Sequence, residues 1–114
     1  MRNTIGYFGL LLLFPVLQVD AATIGAYRTM TQNSPSAAKI YVNGVANGFE
    51  WSNSINEQRN VKPLYCPPSA LTLNADNYVK ILDVEIRRRG RNIDESDPVE
   101  LALFMGLLRT FPCQ

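Results

Sequence analysis

The sequence predicts an all-α fold: a small single-domain bundle of about four helices, stapled by one disulfide. Three observations predict it. Apolar residues recur at helical spacing in separate stretches, and proline, glycine and asparagine punctuate the chain between them. The only two cysteines, Cys66 and Cys113, each stand beside proline where a helix begins or ends.

The chain opens MRNTIGYFGLLLLFPVLQVDAA. Arg2 precedes an apolar run from Ile5 to Val19, and Val19-Asp20-Ala21 puts small residues at the −3 and −1 positions of a signal-peptidase site. The run is short for a membrane span and Pro15 interrupts it. An uncleaved anchor is the competing reading. Residues 1–21 are read as a cleaved secretory signal and residues 22–114 as the mature, exported domain. No cysteine follows the cleavage point, which argues against a lipid anchor, so no membrane contact is expected after cleavage. Removing Arg2 and Asp20 takes away one charge of each sign, and the net charge stays at +1. That balance argues against nucleic-acid binding through charge.

A domain of about 93 residues is small enough that its core gives modest stability, and an exported one gains from a covalent link. Pairing Cys66 with Cys113 closes a loop of about 48 residues, worth roughly 4 kcal/mol on the chain-entropy account. Two reactive thiols are the alternative, but the chain has no histidine to activate one.

Residues 22–33 are weakly patterned and form either a short first helix or an ordered arm. Ser34-Pro35 then signals a helix start, with Ser34 as cap and proline at the first helical position. Ala38, Tyr41, Val42, Val45 and Phe49 make its buried face. Ile40, Gly44, Gly48 and Trp51 fall on a neighbouring face. The two glycines cost helix stability of roughly 1 kcal/mol each, which close approach of another backbone would offset; fraying at Gly48 is the alternative.

Residues 52–68 read as a long loop or a broken helical segment, stiffened by Pro67-Pro68. Thr72 or Asn74 caps a third helix running to about Arg89, with Ala75, Tyr78, Val79, Leu82 and Ile86 as its core stripe. Asp76–Lys80 and Asp83–Arg87 are acid-before-base pairs at the stabilising spacing. Ile81 and Val84 lie off the stripe and suggest a second packing surface. Arg87-Arg88-Arg89 is either a solvated helix end or a site for an anionic partner, and Gly90 stops the helix.

After the polar loop RNIDESDP, Asp97-Pro98-Val99-Glu100 combines a capping residue, a first-turn proline and an acid. The helix it opens, ELALFMGLLRTF, is apolar nearly all round and is expected to be central and most buried. Pro112 ends it. If the last two helices are antiparallel, Cys66 and Cys113 meet at one end of the pair.

Catalytic patterns are missing. There is no histidine and no glycine-rich phosphate loop, and no spacing singles out a carboxylate pair among Glu50, Glu57, Asp76 and Asp94. Two cysteines do not make a zinc site. The expectation is a non-enzymatic protein without cofactor, metal or catalytic residue, acting by shape.

The segments YVNGVANGFEWSN (Tyr41–Asn53), LYCPPSALTLNADNYVKILD (Leu64–Asp83) and DPVELALFMGLLRTFPC (Asp97–Cys113) resemble the Rap/Tai family. These are exported helical immunity proteins that neutralise peptidoglycan-amidase effectors of type VI secretion systems. The resemblance spans about residues 38–113 and rests on scaffold residues. Many members carry a further cysteine near the first or second helix, and residues 22–40 here have none. The resemblance implies an amidase effector as partner, occluded by a protruding loop and neighbouring helix, and a possible homodimer.

Two loops are candidates for that role, Ser52–Lys62 and Arg91–Ser96. The second is short and lies between capped helices, which makes Asn92, Asp94 and Glu95 the candidate contact residues; plain turn residues are the alternative. The reading from a different class is a helical envelope protein with a structural or chaperone-like role. Trp51, Ile81 and Val84 would then be its client or self-association contacts.

Overall fold

The computed structural model describes residues 21–114. The predicted signal segment lies outside them, apart from Ala21. Four α-helices follow in order: α1 (Ile24–Asn33), α2 (Pro35–Gln58), α3 (Ala75–Arg89) and α4 (Val99–Thr110), with a single 3-10 turn at Gly90–Asn92.

The first third forms a helix, not an arm. Thr23 accepts a hydrogen bond from the Ala26 N–H at 3.1 Å and caps α1, which buries Ile24 and Tyr27. One residue, Ser34, breaks the chain between α1 and α2. Its side chain makes no cap bond, and Pro35 at the first turn starts α2 as the sequence suggests.

α2 runs seven residues further than the sequence reading. Ser52–Gln58 are helical, because Asn53 turns inward and is 6 % exposed. Its amide donates to the Tyr65 carbonyl at 2.9 Å and accepts from the Leu64 N–H at 2.8 Å, holding the proline-rich segment against the helix. A polar residue in a polar stretch carries no signal of burial, and the partner lies twelve residues away.

Asn74 caps α3 through a reciprocal capping box with Asn77. α2 packs on all three other helices and α3 on α2 and α4, so α4 is not the central helix, although it buries the largest share of its residues. α4 buries Val99, Ala102, Leu103, Gly106 and Leu107, but Leu101 is 48 % exposed. Phe49 and Phe104 meet with ring centroids 5.2 Å apart and join α2 to α4.

α3 and α4 are antiparallel. A Cβ on Gly106 would stand 2.9 Å from Ile81 Cγ2 and 3.2 Å from the Ile81 carbonyl oxygen. Gly106 is therefore the glycine that admits the backbone of another helix, as Gly25 does that of the loop at Glu95. Gly44 and Gly48 have nothing within 4 Å of the corresponding position, so the close approach expected there is absent. Ile81 supplies the second packing surface, whereas Val84 stays 47 % exposed.

Cys66 and Cys113 form the predicted disulfide, and the Cys66 N–H donates to the Phe111 carbonyl at 2.8 Å. The bridge ties the entry of α3 to the end of α4 and pins the terminus.

The two predicted intrahelical pairs are redirected. Asp76 pairs with Lys39 of α2 at 2.6 Å, and Asp83 accepts a hydrogen bond from Tyr27 of α1 at 2.9 Å. Arg88 and Arg89 are not a free helix end either. Both bond to Glu85, which is 1 % exposed, and Arg109 of α4 joins them with its Nε 3.1 Å from Oε2.

Candidate functional site

The Arg91–Ser96 loop follows from how α3 stops. Gly90 takes a positive φ of 53°, the 3-10 turn carries the chain to Asn92, and the half-buried Ile93 anchors it to the core. Asp94 and Asp97 then build a turn. The Asp94 carboxylate accepts from the Ser96 N–H at 2.8 Å and its hydroxyl at 2.7 Å, and Asp97 Oδ2 accepts from the Asp94 N–H at 3.0 Å. The Ser96 backbone bond, with its hydroxyl bond, holds the Asp94 carboxyl below the usual range. Asp97 thus closes this turn and does not cap α4, which begins at Val99 after Pro98.

The N-terminal segment lies along the outgoing side of the loop. Gly25 N–H donates to the Glu95 carbonyl, Ile24 N–H to the Asp97 carbonyl, and Val99 N–H to the Ala22 carbonyl, each at 2.9 Å. Thr23 and Pro98 make an isolated antiparallel bridge, and Arg28 pairs with Glu95 at 3.0 Å. Asn92, Asp94 and Glu95 are all exposed on this one loop. Asp94 and Glu95 spend polar groups on the fold itself, and among the described residues only the Asn92 side chain of the three makes no hydrogen bond. The Asp94 turn is local, but the contacts of Glu95 were not readable from spacing, because their partners lie some seventy residues away.

A second surface runs along α2. Ile40, Gly44, Gly48, Trp51 and Ile55 share one face and are all exposed, Ile40 at 74 % and Trp51 at 70 %. No charged residue belongs to the stripe, and the glycines make a shallow notch between Ile40 and Trp51. The other candidate loop shrinks to the turn at Arg59–Asn60 and the irregular residues Val61 and Lys62, with Asn60 at a φ of 55°.

Between α2 and the proline-rich segment, Glu50 lies in a cleft lined also by Asn53, Tyr65, Pro67 and Leu71. Its Oε1 accepts from the Tyr65 hydroxyl at 2.6 Å and the Tyr78 hydroxyl at 3.1 Å. Burial first, and then the Glu50 carboxylate, pushes both phenols well above their usual range. Tyr27 is pushed up to about 12 by burial and by its bond to Asp83. Tyr41 likewise donates to Glu100. Each tyrosine of the described residues therefore hands its O–H to a carboxylate on another element, so these carboxylates bind helices together. Among the described residues no group of three or more histidine, cysteine, aspartate or glutamate side chains is placed to hold a metal.

What the described residues offer a partner is surface: a polar loop pinned at its base and an uncharged apolar helix face on a disulfide-stapled four-helix domain. The chain matches no family model, no curated protein and no solved structure.

Proposed function

We propose that the protein is an exported immunity protein of Rap/Tai type, which binds a peptidoglycan-amidase effector in the periplasm and occludes its cleft. The observation that carries the reading is the pinned loop. A wedge blocks an enzyme without chemistry only if it does not collapse on contact, and the Arg91–Ser96 loop is fixed by its own carboxylate turn and by the N-terminal segment. Preorganisation of this kind removes ordering cost from binding. Asn92 is the side chain left to reach outward, with Arg91 beside it. The order and spacing of the three sequence segments are what supports the family reading.

The test is to find whether a neighbouring gene encodes a peptidoglycan amidase and to co-purify the protein with its product, followed by an inhibition assay with Asn92→Ala and Trp51→Ala variants. Loss of affinity by tenfold or more at Asn92 assigns the loop. The same loss at Trp51 alone moves the contact to α2. Absence of any complex with the wild-type protein contradicts the reading.

One observation favours a second reading, a self-associating envelope protein. A bare tryptophan and isoleucine on an uncharged face suit contact with another apolar surface. Concentration-dependent self-association without any amidase complex would make that the better account.

A further inference from the structure

The residue that follows the small-residue pair Val19 and Ala21 is Ala22, and the fold grips it by both backbone groups. Its carbonyl accepts from the Val99 N–H at 2.9 Å, and its N–H donates to the Tyr41 hydroxyl at 3.1 Å. Tyr41 in turn donates to Glu100 Oε1. The other oxygen, Glu100 Oε2, is shut off from solvent and has no hydrogen-bond partner, the sole buried side-chain polar atom of the described residues in that state. A buried carboxylate oxygen left unpaired is destabilising, and a positively charged donor is what most relieves it.

We propose that Tyr41 and Glu100 form a seat for the α-ammonium group that appears when the chain is cut between Ala21 and Ala22. The ligand of this site is the protein's own new N-terminus. Hydrolysis breaks the amide C–N bond: water supplies the oxygen of the Ala21 carboxylate and a proton to the Ala22 nitrogen, which takes a second from solvent. An amide with one hydrogen becomes an ammonium with three hydrogens and a full charge. One hydrogen keeps the bond to Tyr41, and another turns to the carboxylate one hydrogen bond away. The uncut chain has a single N–H at this nitrogen, already given to Tyr41, and cannot supply Oε2 from it.

Cleavage therefore completes the packing of three elements. The N-terminal segment is locked to α2 through Tyr41 and to the first turn of α4 through Glu100. The same segment holds the Glu95 and Asp97 carbonyls, so the base of the candidate loop firmens at the same time. The proposal rests on the export part of the functional reading and not on amidase binding.

Three oxidised forms of the protein test it: one beginning at a free Ala22, one with Met-Ala21 retained ahead of Ala22, and one with Ala22 acetylated. Each is melted with Glu100 and with Glu100→Gln, and the exported protein's first residue is read by mass. The free-amine form is expected to melt about 4–8 °C above both blocked forms, the size of shift one good interaction gives in a domain this small. Glu100→Gln is expected to remove most of that difference, and Tyr41→Phe serves the same purpose should the first variant not fold. Equal melting of free and blocked forms, or a difference that survives both substitutions, overturns the proposal. So does an exported protein that begins at another residue. Amidase inhibition is not measured here, so either reading can fail without the other.

Discussion

Glu85 shows how one residue can reverse the meaning of its neighbours. In sequence it is one more charge on a helix that ends in three arginines. In the fold it is buried, and Arg88, Arg89 and Arg109 converge on its two oxygens. The anion that the basic run awaits is internal. Burial pushes the Glu85 carboxyl up, but the three guanidinium groups outweigh it and hold the carboxyl at about 2, against an ordinary 4.5. A depressed folded-state pKa contributes stability above the unfolded value and loses it as pH falls through the folded one. The protein should therefore lose on the order of 3 kcal/mol between about pH 5 and pH 2 through this group. Thermal melts of wild type and Glu85→Gln across that window check it. The variant should start less stable and change less; parallel loss in both would place the acid sensitivity elsewhere. Helical spacing offers Glu85 the pairs with Arg88 and Arg89, but neither its burial nor Arg109, which lies on another helix.

At the scale of elements, the glycines separate what a pattern can say from what it cannot. Helical period and capping residues located α2, α3 and α4 and the start of each to within a few residues. Close approach depends on which face meets a neighbour, and that is a tertiary matter. Gly44 and Gly48 look toward solvent, while Gly106, inside the most apolar helix, touches Ile81 and Glu85. Gly106→Ala should cost about 1–3 kcal/mol, because the Ile81 backbone cannot move away as a side-chain tip would. Gly44→Ala should instead stabilise by up to about 1 kcal/mol, the difference in helix propensity. Chemical denaturation of the two variants compares them directly. Losses of equal size would mean that the exposed face of α2 is covered in the folded protein. The tail of α2 was missed for a related reason: Asn53 is fixed by Leu64 and Tyr65, which its own sequence neighbourhood does not reveal.

Over the whole molecule, the fold class and the disulfide were legible because they rest on composition, period and two cysteines flanked by proline. The candidate site was legible only as a location. Asn92, Asp94 and Glu95 do share one exposed loop, but beyond its own Asp94–Asp97 turn the bonds that stiffen it come from residues 22–25 and from Arg28. Carboxylates that look free in sequence are taken up by tyrosines of other elements. The bridge holds these layers at one end of the α3–α4 pair. Cys66→Ser or Cys113→Ser should lower stability by up to roughly 4 kcal/mol, and reduced wild type should behave alike. Melts with and without reductant measure it, and a reductant that leaves the melt unchanged would mean that the bridge is not formed.

The central claim is that this small helical domain blocks a cell-wall amidase by binding. It is tested most directly by adding oxidised protein spanning residues 22–114 to a peptidoglycan amidase encoded by a neighbouring gene and following peptidoglycan hydrolysis. The account predicts that activity falls in proportion to added protein and ends near one equivalent per active site. Hydrolysis that continues undiminished in the presence of a large excess of folded, oxidised protein would contradict it.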